Sequence, residues 1–358
     1  MTPGINDIAD FLKKVSDSTP TLRAERCVNH RHQHAGQCTA CASACPVSAI
    51  TLTPIPAIDA GACLACGACV AVCPSDALEG VRSLVEMWRK ALETAGSHEN
   101  TALVCRAIGQ GNFDAARIPC AGALPAEFFV ALALAGIDRV TLHVADCGEC
   151  PALGTLAQAH QSISDASDLL TKVERMLSVE WTSETPPPQR PKQAGVTRRG
   201  LFSALRNPAA LANQHGDDHL EELTTAGIGS RRALLLDALG RVDDIDPAAA
   251  LQLYEDHWGA VTADASRCIG CQMCAQFCPT EALSATVDDR SGVVTLWFDA
   301  ARCTACGLCL RVCFKEALHF EPGIPLVDLA NSEYRPIWEG LPPVNPLKSP
   351  QVFKAPAK

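Results

Sequence analysis

The chain has 358 residues, 47% hydrophobic and 20% charged, which suffices for two or three buried cores and excludes a disordered chain. With 30 Lys plus Arg against 40 Asp plus Glu, the formal net charge of -10 removes the attraction that nucleic-acid and anionic-membrane binders rely on. Its 20 cysteines far exceed what a chain of this length needs as a disulfide framework, so they serve other chemistry.

Taken in chain order, residues 1–20 place Ile8, Phe11, Leu12 and Val15 at helical spacing, which predicts an N-terminal docking helix. No basic and apolar leader precedes it, and no run approaches about 18 apolar residues, so an unexported, cytoplasmic protein without membrane insertion is expected. Residues 21–80 are Ala- and Gly-rich and poor in aromatics; a cofactor must supply their core. A central α/β domain is predicted over 81–183. It has a helix over 81–98 (Val81, Leu84, Val85, Trp88, Leu92), strands at Thr101–Cys105 and Val140–Val144, and helices at Ala126–Ala135 and Ser164–Leu177. Residues 184–262 open on a stiff Pro-rich linker (184–193) and continue as a helical segment over 197–258. Within it, Thr197-Arg198-Arg199-Gly200-Leu201 is echoed by Ser230-Arg231-Arg232-Ala233-Leu234. Residues 263–322 repeat the texture of 21–80, and 323–358 form a Pro-rich tail without periodicity, expected to wrap a surface or to be mobile. The fold class expected is α+β, with two small cysteine-rich modules flanking the central α/β domain and the helical linker region.

Sixteen cysteines fall into four runs: 27/38/41/45, 63/66/69/73, 268/271/274/278 and 303/306/309/313. The motifs Cys63-Leu-Ala-Cys-Gly-Ala-Cys-Val-Ala-Val-Cys-Pro-Ser-Asp-Ala-Leu78 and Cys268-Ile-Gly-Cys-Gln-Met-Cys-Ala-Gln-Phe-Cys-Pro-Thr-Glu-Ala-Leu283 resemble bacterial two-cluster (8Fe-8S) ferredoxin domains in tandem, a polyferredoxin-like arrangement over about a third of the chain. The spacing lets one tight loop present three soft thiolates to one 4Fe-4S cube while the fourth cysteine serves the other cube. On that rule Cys27, Cys38, Cys41 and Cys73 hold one cluster, and Cys63, Cys66, Cys69 and Cys45 a second. Cys268, Cys271, Cys274 and Cys313 hold a third, and Cys303, Cys306, Cys309 and Cys278 a fourth. The first ligand is the irregular one, since Val28–Gln37 is inserted between Cys27 and Cys38. A histidine ligand or a three-iron cluster is the alternative there. Zinc would use pairs of cysteines rather than triplets followed by Cys-Pro. At Cys313 the following residue is Phe314 instead of Pro. The resemblance implies two short hairpins and two short helices per module, and one-electron transfer.

Cys105, Cys120, Cys147 and Cys150 remain, at the ends of predicted strands. Cys120-Ala-Gly, Gly136-Ile-Asp138-Arg-Val140 and Asp146-Cys147-Gly-Glu-Cys150-Pro151 resemble the delta subunit of methyl-viologen-reducing hydrogenases, which implies a fifth iron–sulfur centre, 2Fe-2S or 4Fe-4S. Pro151 stands where that family has a later His. Two other readings stay open: burial of these cysteines as small hydrophobes, and a redox-active Cys147/Cys150 dithiol.

Weaker signals are His30, His32 and His34, a solvated loop or an extra metal site, and the Arg198-Arg199 and Arg231-Arg232 pairs. Placed in a first helical turn, such cations oppose the helix dipole and need an acidic contact, inside the chain or on a partner. The Gly109-Gln-Gly111 fragment lacks the rest of a phosphate loop, so no nucleotide cofactor is expected. The functional expectation is an electron-transport subunit without a catalytic site of its own, passing single electrons between donor and acceptor redox enzymes, such as an anaerobic dehydrogenase and its acceptor. The alternatives are an accessory or maturation protein of a molybdenum or tungsten oxidoreductase, and a thiol-disulfide reductase using Cys147/Cys150.

Overall fold

Because the first cysteine-rich segment has few large side chains, only short elements form there. A computed structural model of the chain describes residues 19–80, 82–95, 99–109, 111–188, 219–240, 250–251, 260–321, 324–325, 329 and 332–343. Strands β1 (Thr21–Leu22), β2 (Ile50–Leu52), β3 (Pro56–Ile58) and β4 (Leu78–Glu79) pair antiparallel as β1 with β4 and β2 with β3. Between them lie single helical turns, α1 (Val28–Arg31), α2 (Gln33–Gly36), α3 (Ala40–Ser43) and α4 (Ala68–Ala71). The core of this N-terminal module is Cys27, Cys41, Cys69 and Cys73 with Ile50, Ala77 and Leu78. Thiols make up much of this core, in keeping with the few large side chains available.

Helix α5 (Leu84–Ala95) leads into a parallel sheet. Strands β5 (Asn100–Cys105), β6 (Ala116–Ile118), β7 (Arg139–His143) and β8 (Ser178–Thr182) run in the order β6-β5-β7-β8. Helix α6 (Ala126–Leu134) links β6 to β7, and α7 (Leu156–Lys172) links β7 to β8. All nine residues of α6 are buried, eight of them apolar and the ninth, Glu127, ion-paired. Helix α7 begins two turns before the predicted Ser164, because Ala159, Ser162 and Ala166 form a buried face too small and polar to read as periodic. After β8 the chain folds back, and the Pro187 carbonyl accepts the Asp114 N–H at 2.9 Å.

The predicted helical segment is described at 219–225 and at α8 (Ser230–Leu239), with β9 (Ala250–Leu251) beyond it. Helix α8 packs against α6 and buries Arg232 through Ala238. The predicted helix over 1–20 and the Arg198-Arg199 pair lie outside the described residues.

In the C-terminal module β10 (Ala260–Ala263) pairs with β13 (Leu318–Glu321), and β11 (Leu283–Val287) with β12 (Val294–Phe298), around α9 (Met273–Phe277) and α10 (Leu308–Val312). Strand β14 (Ile324–Pro325) pairs with β9. Part of the tail is ordered as β15 (Arg335–Gly340), a third strand on β12. It has no periodic signal because Pro336 sits in it, which an edge strand with a bulge opposite Leu296/Trp297 accommodates. The whole is α+β, helices and several small sheets grouped separately. Among the described residues no helix is long and apolar enough to cross a membrane.

Candidate metal centres

The sixteen cysteines of the four runs converge as quartets. Cys27, Cys38, Cys41 and Cys73 line one small apolar cavity, and Cys45, Cys63, Cys66 and Cys69 the next. The last cysteine of each run has crossed to the other cavity. In the C-terminal module Cys274 lies within reach of the charges of Cys271, Cys268 and Cys313, and Cys309 within reach of those of Cys303, Cys306 and Cys278.

Backbone conformation makes the convergence local. The residue three positions after the last cysteine of each run is left-handed: Ser48, Asp76, Glu281 and Glu316 have φ of 51°, 50°, 57° and 47°. That turn aims the next N–H back at sulfur, with Ala49 on Cys45 Sγ at 3.2 Å, Ala77 on Cys73 Sγ at 3.2 Å and Ala317 on Cys313 Sγ at 3.3 Å. Such donors favour a charged sulfur. The tight Cys-x2-Cys-x2-Cys loops need two further left-handed residues each, Ala65 and Gly67, Gly270 and Gln272, Ala305 and Gly307. Gly67 is doubly constrained, because a Cβ there would come 2.7 Å from Ala123 Cβ in the central domain. The Cys27 run lacks this pattern; Thr39 has φ of -116°, since the insertion makes the turn instead.

That insertion is anchored by buried residues while His30 and His34 stay exposed, as a solvated loop would have them. The buried Asn29 accepts the Cys38 N–H on Oδ1 at 2.7 Å and donates from Nδ2 to the carbonyls of Cys38 (2.8 Å) and Pro54 (3.1 Å), pinning both ends of the loop. His32 caps α2 by accepting the Ala35 N–H at 3.0 Å and meets the Phe277 ring edge-on at 4.7 Å. None of His30, His32 and His34 lines the adjacent cavity. Replacing Asn29 by alanine strands buried backbone groups at about 1–3 kcal/mol. We expect Asn29→Ala to lose iron from one site several times faster than wild type during a chelator challenge, followed by absorbance.

The insertion is also the seam between the modules. Arg31 donates from Nη2 to the carbonyls of Gln276 (2.6 Å) and Cys278 (3.1 Å), satisfying the open C-terminal end of α9. Arg311 on α10 reaches back from Nε to the Ala35 carbonyl at 2.7 Å. Between these two contacts Val28, Ala35 and Cys38 pack with Phe277, Cys306, Leu308 and Val312. Arg31 carries no sequence signal for this role, since it acts through residues distant in the chain.

Cys105, Cys120, Cys147 and Cys150 also meet. Cys105 ends β5, Cys120 follows β6, and Cys147 and Cys150 lie in the turn after β7, all at the carboxyl edge of the parallel sheet. There the strand order reverses between β5 and β7, the usual place for a ligand in this architecture. The four line one apolar pocket with Val144, Leu156 and Trp181. The two neighbouring thiols act on each other in opposite directions: Cys120 is lowered to about 6, aided by Thr155 Oγ1 at 3.2 Å from its sulfur, and Cys105 is raised. Burial, then the charges of Cys120 and Cys150, raises Cys147, the reverse of what a nucleophilic dithiol needs.

The five groups follow one another. Cys120 is close enough to Cys66 for its charge to act there, Cys41 likewise acts on Cys69, Cys38 and Cys306 share the seam, and Cys274 acts on Cys309. The series therefore runs from the central pocket through the Cys66, Cys41 and Cys306 quartets to the Cys274 quartet, where Cys271 is exposed. The donor set suits a cationic core. Burial together with the charges of neighbouring cysteines pushes Cys41 up to about 11 and Cys69, Cys274 and Cys306 up to about 12, so each cavity gathers soft donors without enough positive charge to hold them ionised. Cysteine triplets with a fourth cysteine supplied by the neighbouring run fit a polynuclear core better than a lone zinc.

The arginine question resolves inside the chain for the described pair. The Arg231 guanidinium ion-pairs with Glu127 of α6 at 2.7 Å, and its backbone N–H reaches Asp76 Oδ2 at 3.3 Å. The Gly109 and Gly111 carbonyls accept Arg117 Nη2 at 2.9 and 3.0 Å, a structural use of that glycine pair.

Comparison with known families finds a 4Fe-4S dicluster domain at residues 36–77 and a second 4Fe-4S dicluster domain at residues 261–320. Cys27 falls outside the first of these matches. No match to the chain was found among curated proteins or among solved structures. Both modules are iron–sulfur domains of the electron-transfer type, and the cofactors are 4Fe-4S clusters.

Proposed function

We propose that the chain is an electron conduit between two redox enzymes, an anaerobic dehydrogenase and its acceptor being the pair that suits the central domain's resemblance. Four 4Fe-4S clusters would be held by Cys27, Cys38, Cys41 and Cys73; by Cys45, Cys63, Cys66 and Cys69; by Cys278, Cys303, Cys306 and Cys309; and by Cys268, Cys271, Cys274 and Cys313. A fifth iron–sulfur centre would be held by Cys105, Cys120, Cys147 and Cys150. The observation that carries this reading is the unbroken succession of five cysteine groups through three structural units.

When bound, a 4Fe-4S cluster takes up and gives back one electron at a time. The protein does the rest. Its thiolates fix each position, the N–H donors of Ala49, Ala77 and Ala317 temper sulfur charge, and apolar side chains such as Ile50, Leu78 and Val312 keep water out. A carrier shuttling between partners needs one module; a fixed seam between two modules, and a third unit docked on Gly67, suit a route through a stable complex.

The test is iron and acid-labile sulfide per chain after anaerobic purification, with electron paramagnetic resonance of the reduced protein. About 18–20 irons, with one signal lost in Cys147→Ser, is the expected result. About 16 irons with cubane signals alone would remove the fifth centre, and zinc with little iron would overturn the reading.

A further inference from the structure

Helix α8 brings two consecutive arginines to two different modules. Arg231 donates from Nη1 to the carbonyl of Cys73 at 2.9 Å, and Arg232 donates from Nη2 to the carbonyl of Cys303. Those cysteines belong to the two quartets that face each other across the seam, the Cys41 and Cys306 quartets. Arg232 is buried, at 4% exposure, and the Arg231 side chain is 12% exposed, so both charges act through little solvent. The acids that face Arg231 are Glu127, 6% exposed, and Asp76 at the N-terminal end of α8.

Hydrogen bonds to two carbonyls could be made by neutral side chains, so a pair of buried cations is more than clamping requires. Desolvating a guanidinium is costly, and the cost is offset where negative charge accumulates nearby. Reduction of an iron–sulfur site adds such a charge, and net charge is one of the levers on its potential.

We propose that Arg231 and Arg232 are potential-setting residues: their charges favour the reduced state of the two middle sites, and Glu127 and Asp76 offset that of Arg231 in part. This rests on the reading of the quartets as cluster sites. The middle of the series is thereby held above the potential its sulfur ligands alone would set, and the two sites are tuned from one helix turn.

Potentiometric titration of the purified full-length protein, followed by electron paramagnetic resonance, tests this in Arg232→Gln, Arg232→Lys and Glu127→Gln, each with its iron content. Arg232→Gln is expected to weaken reduction of one site at least tenfold, about 59 mV for one electron. Arg232→Lys should restore most of it, and Glu127→Gln should shift one site upward. Opposite signs would not arise from a loosened structure. Full iron content with no site moved in any variant overturns the proposal and leaves the cluster reading intact. Wild type lacking iron and cubane signals overturns the cluster reading itself. If Arg232→Gln fails to load iron, Glu127→Gln decides: an upward shift supports the proposal, and none overturns it.

Discussion

Replacing Cys27 by alanine is expected to abolish one of the four cubane signals of the reduced protein and to lower bound iron by up to about four atoms per chain. Replacing His30, His32 and His34 together by alanine is expected to leave both unchanged. The contrast follows from placement. Cys27 is buried beside Cys38, Cys41 and Cys73, held there by a 3-10 turn (Ala24–Arg26) on one side and α1 on the other. The histidines face the seam or solvent, and His32 spends its Nδ1 on the Ala35 N–H. A triple-histidine variant that loses a signal while Cys27→Ala keeps all four would reverse the assignment.

Why this ligand was the hardest to place from sequence is a matter of range. The three regular runs are short-range codes: left-handed residues at fixed offsets, such as Gly307 two residues before Cys309, bring three sulfurs together within one loop. The crossing of Cys45, Cys73, Cys278 and Cys313 to the neighbouring quartet is part of the same code. The α/β texture likewise placed Cys105, Cys120 and Cys147 at strand ends, where parallel strands leave a crevice. Strand β5 and helix α6 were readable for the same reason, since both are apolar over nearly their whole length.

What could not be read depends on contacts far apart in the chain. Val28–Gly36 forms two helical turns too short to show periodicity, and its partners lie some 245 residues away, as the Arg31–Gln276 contact does. Arg231 looked like a cation in the wrong end of a helix. Its acids come from the N-terminal module and from α6, 155 and 104 residues earlier. Strand β15 was hidden by Pro336, and the buried face of α7 by Ser162 and two alanines. Local chemistry fixed the individual sites; their order in one series required the tertiary seam.

That seam carries the second large prediction. In a Leu308→Ala, Arg31→Ala double variant the seam formed by residues 28–36 is expected to open while iron content stays at the wild-type level. Leu308 is fully buried between Val28 and Val312, and truncating a buried leucine costs about 2–5 kcal/mol. Removing Arg31 adds the loss of charge-assisted bonds to the Gln276 and Cys278 carbonyls, about 1.5–3 kcal/mol. At the seam itself only the Arg311–Ala35 contact at 2.7 Å would remain among the polar contacts described above, while α8 would still bridge the modules through Arg231 and Arg232. Hydrogen exchange should then show amides 28–36 and 273–278 losing protection, with β11 and β12 as protected as before. Unchanged protection at 28–36 would show that the seam is held elsewhere. Since neither residue is a cysteine of any quartet, a slower equilibration of electrons between the two halves of the double variant, at full iron content, would trace directly to the lost contact. Equal rates in the two proteins would mean that the Cys38–Cys306 approach is not the point at which the halves communicate.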